Sequence, residues 1–499
     1  MIGCGLPKNI VRPPSSALLD TRNTTLGELT APGMAKHPGE SGFLLFNTGE
    51  GAIQARVAMA DVAQSSIDAQ YFQWGRDTVG RVLLDRLIAA ADRGVRVRLL
   101  IDDYWASGQD PAFQAVDAHP NIEVRVFNPF SRPRTRAMQL VGRFTELNRR
   151  MHNKLFVADG QVAVVGGRNL HDEYFGMGEE ICYRDFDLLA IGPVAADAEE
   201  GFDRYWNSRW TYPISLLVKP DSQAELDEAL ARFSARVAAE RATFPYALPT
   251  DRETALAWLE QFRGKVVWAP AELVYDDPNS VANPADAPPG MVWNKMAYLA
   301  NHAEQELVLE NAYFLPKPKM PAARALRERG VRLRVLTNSL ATTDEVPVNA
   351  HYANSRPELV NLGVELYEMK PDAASRELYI ARPATSKAHL ALHAKAAVFD
   401  RKTVFIGSFN LDPRSMNLDT EIVLVVQSAE LAQQFLDAFA TDFAPENAWR
   451  IAPVVGEEDD VVWITEQPAQ PLVEPHDPAS AWRRFVRSIE RYLPVAHLL

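Results

Sequence analysis

An internal duplication limits this chain more than any other feature of its sequence. The run Ser66-Ile67-Asp68-Ala69-Gln70-Tyr71-Phe72 precedes a helical pattern and then Arg93-Gly94-Val95-Arg96-Val97-Arg98-Leu99-Leu100. The same order returns as Leu307-Val308-Leu309-Glu310-Asn311-Ala312-Tyr313-Phe314 before Arg329-Gly330-Val331-Arg332-Leu333-Arg334-Val335-Leu336, a shift of 236 at the Arg-Gly pair. The β-branched runs read as strands, and Leu83, Leu84, Leu87, Ile88 and Ala91 recur at helical spacing with Gly94 closing the helix. Ile122 to Pro129 likewise matches Val364 to Pro371, at a shift of 242. A long-period repeat outweighs local propensity in deciding a fold. It predicts an α/β protein of two similar lobes, each a mixed or largely parallel sheet covered by helices.

Composition bounds what such lobes do. Of 499 residues 47% are hydrophobic, so large cores can form, and only Cys4 and Cys182 occur, which leaves no disulfide framework or cysteine-rich zinc site. A formal charge of −13 argues against a chain that coats nucleic acid. No apolar run approaches the roughly 18 residues of a transmembrane helix. Met1-Ile2-Gly3-Cys4-Gly5 looks like the end of a lipoprotein signal without its apolar region, and a chance cysteine is the plainer reading. The expected organisation is a mobile lead-in over 1–40, a first lobe over 41–213, a helical connector over 214–265, a second lobe over 266–450 and a terminal segment over 451–499, with an exposed loop from Asp276 to Gly290.

The third repeated segment carries the chemistry. His152-Asn153-Lys154 leads to Asp159 and then to Gly166-Gly167-Arg168-Asn169, and His393-Ala394-Lys395 leads to Asp400 and then to Gly407-Ser408-Phe409-Asn410. In both copies Lys stands two, Asp seven and Asn seventeen residues after His. Positions i and i+2 of a strand share a face, so each Lys points with its His. Asp159-Gly160 has hairpin-turn composition, so Asp159, and Asp400 with it, reads as a turn former. Asn169 and Asn410 can return an amide donor beside the Lys for phosphate oxygens.

This paired pattern resembles the phospholipase D superfamily. Leu147-Asn148-Arg149-Arg150-Met151-His152-Asn153-Lys154 and Gly407-Ser408-Phe409-Asn410-Leu411-Asp412-Pro413-Arg414-Ser415 are similar to the bacterial cardiolipin synthases, particularly the C-type branch, and the likeness runs from about residue 41 to the end. It implies two phospholipase D-like α/β/α sandwich lobes related by a pseudo-twofold axis, with the site at their interface. It also implies a signature of His152, Lys154, Asp159, His393, Lys395 and Asp400, one His forming a phosphohistidine and the other serving as acid and base. His152 is assigned as nucleophile and His393 as acid and base. Lys154, Lys395, Asn169, Asn410 and Ser408 are expected around the phosphate. Gly167 stands where the family often has the serine that Ser408 supplies. The C-type resemblance further implies phosphatidylethanolamine as donor and phosphatidylglycerol as acceptor.

Two imidazoles with different tasks need different surroundings, and Asp185-Phe186-Asp187-Leu188 aligns with Asp419-Thr420-Glu421-Ile422 at a shift of 234. Asp187 and Glu421 are the residues expected to orient the rings; ordinary strand-end carboxylates are the alternative. No metal or other cofactor is expected, since cationic side chains are in place. His37, His119, His171, His302, His351, His389, His476 and His497 show no ligand spacing, and His389 reads as a rim residue.

Two segments speak to the partner, which the resemblance makes phospholipid. Ser131 to Arg150 holds Arg132, Arg134, Arg136, Arg143, Arg149 and Arg150 against Glu146 alone, either a strip for lipid phosphates and an anionic membrane or a solvated loop. Trp482, Phe485, Ile489 and Leu493 form an apolar stripe with Arg483, Arg484, Arg487 and Arg491 between them, either an interfacial helix or a helix packed on the body. The enzyme is expected to be peripheral to the cell membrane, on its cytoplasmic face, and the sequence specifies no helper protein. A hydrolase, and a membrane scaffold without catalysis, are the alternatives to a phosphatidyltransferase.

Overall fold

The computed structural model describes residues 6, 10, 12–106, 108–132, 135–218, 222–282, 290–316, 320–467, 470–492 and 498. Cys4, Arg134 and Leu493 lie outside them. Two mixed sheets face each other. In the first, the central strands run Ser41–Phe46, Asp187–Ile191, Val162–Gly166, Lys154–Ala158, Ser66–Tyr71, Arg96–Asp102 and Ile122–Phe127. In the second the same order is Ala271–Tyr275, Ile422–Gln427, Thr403–Gly407, Lys395–Phe399, Glu306–Asn311, Arg332–Asn338 and Glu365–Met369. Ser66–Tyr71, Arg96–Asp102 and Ile122–Phe127 are parallel, as are their counterparts in the second lobe. Helices are the connections that parallel neighbours require. The helix Thr78–Asp92 starts where Asp77 accepts from Gly80 N and ends at Gly94, whose φ of 94° only glycine adopts freely.

Between the sheets lie the helices Pro193–Trp206 and Ala429–Asp442, and one apolar core runs through both lobes. Phe186 of the first lobe packs on Phe435 and Phe439 of the second, at ring distances of 5.1 and 5.6 Å. Arg184 reaches across to Asp442, Nε to Oδ2 at 2.7 Å, with both side chains buried. The backbones pair as well. Ile181–Arg184 runs parallel to His389–Leu392, and His393 N donates to Arg184 O at 2.8 Å. The mirror contact is His152 N to Thr420 O at 2.9 Å. Each signature histidine is thus held by the opposite lobe.

The boundaries differ from the sequence reading at four places. Within the lead-in, Thr25–Lys36 is a helix capped by Thr24 and buries Leu26. The connector helices Gln223–Ala242 and Arg252–Glu260 pack on the outside of the first lobe. Val267–Ala269 pairs with Ser41–Phe46, so the first sheet borrows a strand from beyond the connector. Ala448–Val454, Glu457–Thr465 and Leu472–Glu474 extend the second sheet, so the segment after 450 is largely part of that lobe. All four segments lie outside the repeat, and a repeat carries no information on what is added at its edges.

Candidate active site

His152 and His393 line one cavity of about 650 Å³ between the lobes, together with Asn169 and Asn410. His152 Nδ1 faces both oxygens of Glu421 at 3.1 and 3.0 Å, and His393 Nδ1 faces Asp185 Oδ2 at 2.6 Å. In each case the carboxylate belongs to the other lobe. A carboxylate on Nδ1 fixes the tautomer and leaves Nε2 for chemistry. Phe72 meets the His152 ring edge-on at 5.1 Å, and Tyr174 meets that of His393 at 4.8 Å. Asn169 Nδ2 donates to the Tyr174 hydroxyl at 2.9 Å, which lies 3.5 Å from His393 Nε2. Asn410 Oδ1 is buried without a hydrogen-bond partner.

The lysines sit below the histidines. Lys154 Nζ donates to its own His152 carbonyl and Lys395 Nζ to that of His393, both at 2.5 Å. Burial brings Lys154 down to about 7 and Lys395 to about 8. Burial first, and then the adjacent lysine, pushes each imidazole well below its ordinary range. Burial raises Glu421 to about 7. The result is a buried set of donors around the two rings, with Lys395 Nζ also 3.2 Å from His393 Nε2, facing a space that can take an anion.

Asp187 departs from expectation. Its Oδ2 takes Arg56 Nη1 at 2.8 Å and lies 3.5 Å from Arg168 Nη1, while the rings take Glu421 and Asp185. Asp185, two residues earlier, orients His393 instead. The reason lies in the neighbours. By the shifts of 240 and 241 residues, Arg56 and Arg168 correspond to Met296 and Phe409, so neither arginine that captures Asp187 has a counterpart beside Glu421. Gly167 completes the exchange, because a Cβ there would overlap the Asp185 carboxylate. The glycine in place of serine is what admits Asp185.

Ser408 also has a different task. It is fully buried, its Oγ donates to Glu421 Oε2, and it accepts from Ile422 N at 3.0 Å, so it holds the carboxylate and does not face the cavity. Asp159 and Asp400 have φ of 52° and 50° and are turn formers. Asp159 Oδ1 accepts from Ser65 N and Ser66 N at 2.7 and 3.0 Å; Asp400 Oδ1 accepts from Gln305 N and Glu306 N at 2.7 and 3.0 Å. Five steps along the strand at roughly 3.3 Å each lead from Lys154 to Asp159, so these carboxylates fix the sheet at the end away from the cavity.

The basic strip is spent internally. Arg132 pairs with Asp103 and Asp110, Arg143 with Glu146, and the buried Arg150 with Asp102, while Arg136 donates to the Asp103 carbonyl. Asp102, Asp103 and Asp110 are distant in sequence, so the strip alone could not reveal them. Asp276, expected in an exposed loop, is buried and accepts from Glu421 N at 3.0 Å and Val292 N at 3.1 Å.

Sequence reasoning also missed Tyr174, Tyr183, Tyr313 and Asp344, which form the wall beside His393. Asp344 Oδ2 accepts from Tyr183 and Tyr313 hydroxyls at 2.9 and 2.8 Å. At the other rim Arg414 pairs with Asp419 at 3.1 Å and donates to Asn148 O at 2.8 Å and Leu498 O at 3.2 Å. These residues have no common spacing that a sequence could display.

Two substitutions separate the carboxylates. Asp185→Asn should lower kcat about 100-fold with little change in unfolding, while Asp187→Asn should cost about 3 kcal/mol of stability by stranding Arg56. Parallel kinetics and denaturant unfolding check both, and equal loss of kcat in the two variants would refute the division. Lys154→Met should abolish turnover yet stabilise the fold by about 2 kcal/mol at pH 6. The folded-state value near 7 lies below the ordinary one of 10.5, so the penalty for burying the charge is full below pH 7 and fades as pH rises toward 10. Unfolding of both proteins across that range reads the sign.

A family model described as "Cardiolipin synthase, PLD-like domain" matches residues 57–206 and 296–443, one span in each lobe. Cardiolipin synthase C of Escherichia coli K12 is 36% identical over 479 residues, covering 95% of this chain and 99% of that protein. Cardiolipin synthase B of the same strain is 26% identical over 79% of this chain and 78% of its own. A solved phosphatidylserine synthase from Haemophilus influenzae shares the fold at TM-score 0.58 with 14% identity, covering 94% of this chain and all of that one. With two matched domains, two crossed histidine–carboxylate pairs and full-length similarity, the chain belongs to the phospholipase D-like cardiolipin synthase family.

Proposed function

We propose that this chain is a phosphatidyltransferase that makes cardiolipin from two phospholipids, with phosphatidylethanolamine as donor and phosphatidylglycerol as acceptor. The observation that carries the mechanism is the pair of buried rings, each with Nδ1 on a carboxylate of the opposite lobe and Nε2 open to one cavity. His152 Nε2 attacks the donor phosphorus, the P–O bond to the headgroup alcohol breaks, and protonated His393 gives its proton to the departing oxygen. The shorter contact to Asp185, 2.6 Å, suits His393 to carry that proton. Neutral His393 then takes the proton of the acceptor's primary hydroxyl, whose oxygen attacks phosphorus as the P–N bond breaks. Lys154, Lys395, Asn169 and Asn410 balance the charge on the oxygens of the five-coordinate state, an effect of about 3 kcal/mol per well-placed donor.

Membrane access has its own support. No helix among the described residues is long and apolar enough to cross a membrane. The helix Ala481–Glu490 is held to the body by its basic side: Arg483 donates to Leu340 O and Thr343 O, and Arg487 pairs with Asp477. Its apolar side faces outward, with Trp482, Phe485 and Ile489 exposed by 70, 55 and 54%. Arg483 anchors it to the segment that carries Asp344, at the cavity wall, and Tyr104 and Trp105 are exposed at the same cavity's rim. A peripheral enzyme whose aromatic face enters the headgroup layer would bring lipids to the two histidines. The free, buried Cys182 is compatible with the cytoplasmic face.

Purified protein given vesicles of the two phospholipids should release cardiolipin and ethanolamine by mass spectrometry, and His152→Ala and His393→Ala should each reduce product at least 1,000-fold while remaining folded. Phosphatidic acid as sole product would make the enzyme a hydrolase. Trp482→Ser with Phe485→Ser should weaken vesicle pelleting about 10-fold and leave turnover of a dispersed short-chain lipid intact; unchanged pelleting would reject the interfacial helix.

A further inference from the structure

The duplication allows the two lobes to be compared position by position, and one crevice differs. In the first lobe the space between the sheet and the helices Gly49–Val62 and Thr78–Asp92 is filled by Val57, Trp74 and Leu87, all buried. The strand shift of 240 carries Val57 to Ala297 and Trp74 to Phe314, and the Arg-Gly shift of 236 carries Leu87 to Ala323. The bridges Trp74 to Leu170 and Phe314 to Leu411 confirm the correspondence. Each replacement is smaller. The second lobe accordingly holds an apolar cavity of about 270 Å³ lined by Ala297, Phe314 and Ala323. Trp293, Leu309 and Leu411 are among its other walls. It exceeds the roughly 150 Å³ of an engineered apolar cavity that binds benzene. The connector helices cover the first lobe's helix pair from outside.

Its position is as informative as its lining. Tyr313, Asn410 and Ser415 line the catalytic cavity, and Phe314, Leu411 and Met416, each the next residue along the chain, line the apolar one. Three short backbone segments are therefore the shared partition between the two spaces. Leu315 N donates to Leu411 O at 2.9 Å and ties two of these segments together. A molecule with a phosphodiester at the histidines and a hydrocarbon arm fits this adjacency, whereas a wholly polar substrate gains nothing from a dry slot.

We infer that the apolar cavity of the second lobe receives one fatty acyl chain of a phospholipid whose phosphate occupies the catalytic cavity. The assignment rests on the phospholipid reading above and adds to it the place where the chain length is sensed. The variant Ala297→Val with Ala323→Leu, which restores the first lobe's residues, fills the slot without touching the catalytic cavity. In mixed micelles it should raise KM for a phospholipid with C16 chains about 10-fold and leave that for a dihexanoyl phospholipid unchanged. Equal effects on the two substrates, or no effect on either, would overturn the inference.

A binding measurement keeps the inference separate from the reaction. Phospholipid brominated in its acyl chain should quench wild-type tryptophan fluorescence more than that of Trp293→Phe, by at least the share of one residue, whatever product the enzyme makes. Identical quenching of the two proteins excludes the chain from the cavity. If Trp293 is quenched but no cardiolipin forms, the acyl site stands and the proposed reaction fails. Should the double variant not fold, Ala297→Val alone carries the KM comparison.

Discussion

Everything functional in this molecule depends on hydrogen bonds exchanged between two lobes. His152 and His393 each take a carboxylate on Nδ1 and a carbonyl on the backbone N–H from the other half of the chain. Neither lobe therefore contains a competent histidine by itself. The cost of burying two imidazoles, two ammonium groups and several carboxylates is offset by the carboxylate that faces each ring and by the carbonyl that each lysine reaches. The apolar contacts of Phe186 with Phe435 and Phe439 and the buried Arg184–Asp442 pair hold the halves in register.

Duplication and divergence coexist at short range. The two sheets have the same central strand order, and the two aspartates of the signature cap equivalent strands by equivalent backbone bonds. The carboxylates that serve the rings do not correspond. Arg56 and Arg168 retain Asp187 in the first lobe, Gly167 opens room for Asp185, and the second lobe keeps Ser408 with Glu421. Such asymmetry gives the two imidazoles unlike partners, one at 2.6 Å from a single aspartate oxygen and one between two glutamate oxygens at 3.0 and 3.1 Å. Chemistry that needs a nucleophile and a proton carrier benefits from that inequality.

The same divergence affects the outer faces. In the first lobe large side chains fill the crevice beneath the helix pair, and in the second the equivalent space is a cavity of about 270 Å³. The terminal helix turns its arginines inward and its aromatic residues outward. The sequence reading left an interfacial helix and a helix packed on the body both open; in the structure Arg483, Arg484 and Arg487 find carbonyls and Asp477, while Trp482, Phe485 and Ile489 stay exposed.

The sequence alone determined the duplicated α/β architecture and the two His-Lys-Asp-Asn sets, because strand periodicity, Arg-Gly helix ends and a repeated spacing are local properties that survive without coordinates. It could also place Asp159 and Asp400 in turns, since turn chemistry is local. Which carboxylate reaches which ring, that Ser408 holds Glu421, that the arginine strip is consumed by Asp102, Asp103 and Asp110, and that Asp276 is buried were decided only by the tertiary structure. Each of those outcomes is set by which polar partners the fold brings within reach and how deeply it buries them, which no spacing along the chain records.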